Sequence, residues 1–81
     1  MQVKNIEITP SSVLAIQSNE QITLIVFAGF TMVIDEPLVK LKALLEEEGE
    51  SFVLHDNMYV NRRNIAVIAD GKIILNSGRV L

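Results

Sequence analysis

Phe52-Val53-Leu54-His55-Asp56-Asn57-Met58-Tyr59-Val60-Asn61-Arg62-Arg63-Asn64-Ile65 is the stretch on which the reading of this chain turns. It holds the only histidine, the only tyrosine, two adjacent arginines and three of the six asparagines. Apolar residues bound it on both sides. The pattern predicts short strands over residues 52–54 and 58–60, a polar connection between them, and a polar loop over 61–64 before a third strand begins at Ile65.

Downstream, Ile65-Ala66-Val67-Ile68-Ala69 and Ile73-Ile74-Leu75 flank Asp70-Gly71, and Ser77-Gly78 precedes Arg79-Val80-Leu81. Turn dipeptides between apolar runs are hairpin signals. Upstream, residues 3–8 alternate loosely and end at Thr9-Pro10-Ser11-Ser12, where Pro10 cannot donate to a ladder. Residues 13–16 form a short apolar strand, closed by the polar cluster Gln17-Ser18-Asn19-Glu20-Gln21. Residues 22–27 and 30–34 are β-branched and aromatic-rich, and Gly29 between them supplies the positive φ of a tight hairpin. One helix is expected. Asp35 is placed to cap it, Glu36 to meet the positive end of its dipole, and Pro37 to sit in its first turn. Leu38, Leu41, Leu44 and Leu45 form its apolar stripe, and Gly49 its stop.

The two halves rhyme. Ile8 is followed five residues on by Val13-Leu14-Ala15-Ile16, and Val60 by Ile65-Ala66-Val67-Ile68. The expected fold is therefore mainly β, small antiparallel sheets stacked about one short helix, with residues 1–81 as a single domain.

Composition narrows the function. Apolar residues make up 49% of the chain, so both faces of a sheet are covered or a partner covers one. There is no cysteine, which suits the cytoplasm and removes disulfides and thiolate metal sites. The N-terminus shows no signal-peptide pattern, and the longest apolar run, residues 22–34, is too short to span a bilayer. Net charge is −3, unevenly spread: residues 1–50 carry three lysines against eight carboxylates, whereas 51–81 carry four cations against two. An acidic whole argues against tight, salt-resistant nucleic-acid binding, and the basic second half leaves an opening for it. The glutamates at 46–50 read as the solvated end of the helix.

No catalytic constellation emerges. His55 is the one available general base, and nothing places a serine, a histidine and a carboxylate together. One histidine makes no metal site, and the four glycines sit at turns or helix ends, not in a phosphate-cradling loop. No enzyme activity, cofactor, metal or small-molecule substrate is expected. Arg62-Arg63 has two readings: contact with phosphates, or pairing with the acidic helix end.

Taken together, residues 6–81 resemble the LytTR-type DNA-binding domain of bacterial response regulators. The likeness rests on Ile6-x-Ile8-x-Pro10-x-x-Val13-x-x-Ile16, on Leu38-x-x-Leu41-x-x-Leu44-Leu45 after a hairpin, and on Phe52-Val53, His55 and Tyr59-Val60-Asn61 with Ile65. The resemblance implies an elongated, mainly β arrangement with major-groove contacts from loops between strands: the 17–21 loop, the position after His55, and the end of the domain. The chain departs from the pattern in three places. Asp56 stands where the family favours a donor, Leu54 where it often has arginine, and the serine-arginine end is missing. The resemblance implies a stand-alone transcriptional regulator touching double-stranded DNA through Ser18, Asn19, His55, Asn57, Asn61, Arg62 and Arg63. Its alternative is a protein-interaction or antagonist module on the same fold that no longer binds DNA and pairs with itself or another regulator.

Overall fold

Residues 1–19 and 21–81 are described by the computed structural model. Two short strands open the chain, β1 (Gln2–Val3) and β2 (Ile6–Glu7), joined by Lys4-Asn5. Both turn residues have positive φ (51° and 67°), the primed turn whose twist matches a hairpin. The sequence pattern suggested one strand over residues 3–8, because Lys4 at positive φ leaves no composition signal.

The rigid centre is a five-stranded antiparallel sheet, ordered β5-β4-β3-β7-β6. Its strands are β3 (Ala15–Asn19), β4 (Ile22–Phe27), β5 (Phe30–Ile34), β6 (Phe52–His55) and β7 (Met58–Asn61). The central strand, β3, pairs with β4 on one side and β7 on the other, Ile16 lying opposite both Ile25 and Tyr59. The sequence repeat therefore does not make two separate β units, because strands from both halves share this sheet. What the repeat does encode is a local device. After Ile8 and again after Val60 the chain makes a single 3-10 turn, Pro10–Ser12 and Arg62–Asn64.

Alternation along the strands sends side chains to opposite faces. Ile16, Ile25, Phe27, Ile34 and Phe52 pack with Val3, Ile8 and Val13 against Leu41 and Leu45 of helix α1 (Leu38–Glu47). On the other face, Ala15 and Val60 pack against Ile73 and Leu75. These two come from a C-terminal hairpin of β8 (Ile65–Ala69) and β9 (Lys72–Leu75), turned at Asp70-Gly71.

The helix departs from expectation at its start. Asp35 makes no cap: the helix begins at Leu38 with Pro37 as the flanking residue, and among the described residues no side chain caps it. Glu36 is buried instead. Its backbone oxygen accepts from the buried Thr23 hydroxyl, and its carboxylate lies 3.3 Å from Lys40 Nζ. The C-terminal end follows the sequence closely. Gly49 has φ +97°, its amide donates to Glu46 and the Glu50 amide reaches back to Leu45, both at 3.0–3.1 Å. This left-handed stop turns the chain and drives Glu50 inward.

Candidate nucleic-acid interface

Two hairpin tips emerge from neighbouring strands at one end of the sheet. The first closes β3 to β4. Gln17 and Ser18 are not in a loop but pair across to Leu24 and Thr23, and Asn19 pairs with Ile22. The ladder continues because the isoleucine, threonine and leucine of β4 give these polar residues strand partners, a tertiary effect that overrides their turn preference. Of the loop expected at 17–21, Glu20 lies outside the described residues.

The second tip joins β6 to β7. Asp56 and Asn57 have φ of 47° and 66°, a primed two-residue turn that asparagine and aspartate tolerate better than other non-glycine residues. Because Gln17 pairs with Met58, the Asp56-Asn57 turn stands beside the end of β3. Ser18, Asn19 and Asn57 are exposed there, and the Asp56 side chain is 86% exposed. His55 lies just behind. It is paired with Met58 and its side chain is only 15% exposed. Its Nε2 is enclosed, 3.4 Å from an Asp56 carboxylate oxygen but aligned for no hydrogen bond. The imidazole therefore backs the turn, and Asp56 is its counterion whenever it is protonated.

The seven candidate residues do not converge. Asn61 ends β7, about 13 Å along the strand from Asn57 at the usual rise per residue, and Arg62 and Arg63 follow it. Asn61 is 1% exposed. Its amide nitrogen donates to the Val13 backbone oxygen and to Glu50 Oε1, each at 2.9 Å, and its side-chain oxygen accepts from the Arg63 amide. Those bonds occupy the amide inside the molecule, where it cannot reach a base edge. Arg63 meets Glu50 through Nε (2.5 Å) and a terminal nitrogen (2.7 Å), the two-pronged geometry that suits guanidinium and carboxylate. The hydrogen bond from Arg63 holds the Glu50 carboxyl below the usual carboxylate range, against the opposing effect of its burial, and Glu50 raises Arg63 in return. Of the two readings of the arginine pair, Arg63 thus follows the ion-pair one. Its partner also corrects the expectation for the acidic run, since Glu46, Glu47 and Glu48 are solvated but Glu50 is buried. Arg62 stays exposed, with no carboxylate partner among the described residues.

A cation that the sequence reading passed over sits on the C-terminal turn. Arg79 lines a small cavity of about 30 Å³ together with Met58, Leu14, Ala15, Val26, Leu75 and Leu81. The Ser77-Gly78 turn positions it: Gly78 has φ +90°, the Ser77 hydroxyl accepts from the Arg79 amide, and the Arg79 oxygen accepts from the Leu75 amide. Arg79 is exposed and beside the first residue of β7. The signal available in the sequence was a serine two residues ahead of an arginine near the chain end, too short a pattern to locate without the hairpin.

No family model matches this chain, and no curated protein matches it. Among solved structures it is similar to the LytTr DNA-binding domain of a protein from Bacillus cereus. The TM-score is 0.72 at 18% identity, with 99% of this chain and 79% of that chain covered. The fold is the LytTr fold. The resemblance drawn over residues 6–81 therefore holds for the architecture, mainly β with small antiparallel sheets and one helix. At this identity the LytTr likeness carries no contact residue across. Among the described residues no three metal-ligating side chains come together, and no helix is long and apolar enough to cross a membrane.

Proposed function

We propose that this chain is a DNA-binding transcriptional regulator of the bacterial cytoplasm, one that works without catalysis or cofactor. It meets double-stranded DNA with the end of the sheet where the two hairpin tips stand together. The observation that carries this reading is the LytTr fold over nearly the whole chain, combined with neutral donor-acceptor side chains at those tips. Asn19 and Asn57 supply amides of the kind that pair with adenine in the major groove, and Ser18 a hydroxyl that suits either base or phosphate. Arg79, exposed and lining a small cavity with Met58, supplies a cation for a phosphate. His55 supports the Asp56-Asn57 turn, and Asn61 and Arg63 serve the fold.

So few cations at the tip predict weak binding with a shallow salt dependence, a slope of about −1 to −2 in log K against log salt. A mobility-shift titration at low salt, with promoter and random DNA, tests the reading. Retarded complexes at micromolar protein support it, and their absence ends it.

The second reading is an interaction or antagonist module on the same fold. Asp56 favours it, because an exposed carboxylate at the tip repels phosphate, and so does the loss of Arg63 to Glu50. Size-exclusion chromatography with light scattering and pull-downs decides it: a strict monomer that captures no partner counts against a module.

A further inference from the structure

β8 has the composition of a buried strand and the exposure of a surface one. Its residues Ile65-Ala66-Val67-Ile68-Ala69 carry no polar side chain, as in strands covered on both faces. Among the described residues β8 pairs with β9 alone, and its last four positions are exposed, Val67 at 45% and Ile68 at 57%. Cross-strand pairing extends the apolar surface, since Val67 lies opposite Ile74 and Ile74 opposite Val80, which is 55% exposed. Free edges are usually guarded by lysine, proline or an inward charge. This one has none of these. Its single irregularity lies at Ala66 and leaves Val67, Ile68 and Ala69 in regular register.

We propose that β8 joins two copies of this chain, antiparallel about a two-fold axis, so that the two β8 strands become neighbours in one continuous sheet. Charge identifies the second copy as the occupant. Arg62 opens the 3-10 turn that leads into the strand and Asp70 follows the strand directly, both exposed and neither with an ion-pair partner among the described residues. An antiparallel two-fold brings the Arg62 end of each strand to the Asp70 end of the other, whereas parallel pairing sets like charges together. Lys72 belongs to β9, one strand inside the edge. The two edges of the five-stranded sheet lack this self-complementarity. β6 has Glu50 before it and Asp56 after it, and β5 ends at Asp35 with no cation at its start. The pairing is one form of the second reading above, to which it gives a surface and a partner, and it asks nothing of the hairpin tips.

Sedimentation velocity from micromolar to millimolar protein tests it on the wild type, Ile68→Lys, Arg62→Asp, and Arg62→Asp combined with Asp70→Asn. All three positions are exposed, and far-UV circular dichroism checks that each variant folds. The expected result is a wild-type dimer that grows with concentration and a dissociation constant raised at least about tenfold by Ile68→Lys. Arg62→Asp weakens the dimer, and adding Asp70→Asn recovers part of the loss by removing the new repulsion. A wild type that stays monomeric overturns the pairing, as does growth beyond a dimer or an Ile68→Lys variant that dimerises normally. Failure of Asp70→Asn to recover any association overturns the antiparallel arrangement. Pull-downs on the same monomeric protein then show whether a different partner keeps the second reading alive.

Discussion

Asn61 ties two remote pieces of chain, the Val13 carbonyl and the Glu50 carboxylate, to its own turn, where its oxygen accepts from the Arg63 amide. Replacing it with alanine takes one of two donors from each of these oxygens, the Val13 carbonyl keeping Asn64 and Glu50 keeping Arg63, and opens a cavity at a buried site. Asn61→Ala is expected to cost about 2–3 kcal/mol and to lower the melting temperature by about 10 °C or more in a domain of this size. Glu50 sets a pH dependence at the same place. Its carboxyl is held low in the folded state, chiefly by the hydrogen bond from Arg63, so the stability it contributes is fully present above the unfolded carboxylate pKa of about 4.3. That stability is lost as pH falls through the lower folded value. Thermal melts of wild type and Glu50→Gln should differ at neutral pH and converge on acidification. At the tip, Asp56→Asn keeps a residue that tolerates positive φ and removes the negative charge. It is expected to tighten DNA binding several-fold in the same mobility-shift titration, while Arg79→Ala weakens it and flattens the salt slope by about one. These roles were only partly legible. Asn61 and Arg63 were recognisable as polar residues in an apolar setting, and the acidic helix end was one of two partners read for the arginines, but nothing local showed that Glu50 at the end of that run would be buried.

At the scale of elements, the helix C-terminus is the clearest case of local encoding. Gly49 adopts φ +97°, and a Cβ built there meets no neighbour, so the cost of Gly49→Ala is backbone strain alone, about 1 kcal/mol. A urea titration should show a lowered midpoint with an unchanged slope. Such elements were readable because turn and stop residues act on their own backbone: Gly29, Gly49 and Asp70-Gly71 stand where glycine was needed. The misreadings have the opposite origin. Asp35 looked like a cap, but the buried Glu36, tied to Thr23 and Lys40, sets where the helix begins. Gln17 to Asn19 looked like a loop, but β4 supplied a partner for every one of them.

For the molecule as a whole, fold and function separate. The spacing of apolar and turn residues indicated a mainly β chain of small antiparallel sheets with one helix, because alternation, turn chemistry and the leucine stripe all act over a few residues; the LytTr likeness came from the resemblance of particular residues to that family. Local signals of this kind determine which elements form and how each is patterned. They do not determine which strands become neighbours, and that is where the candidate site was decided. Pairing of β3 with β7 set the Asp56-Asn57 turn beside Asn19, and the run of β7 carried Asn61, Arg62 and Arg63 to the opposite end. The fourteen residues from Phe52 to Ile65 thus look like one site in sequence and are two places in space. The physical reason is the geometry of a strand, which separates its ends by about 3.3 Å per residue while bringing residues from remote parts of the chain to within one hydrogen bond.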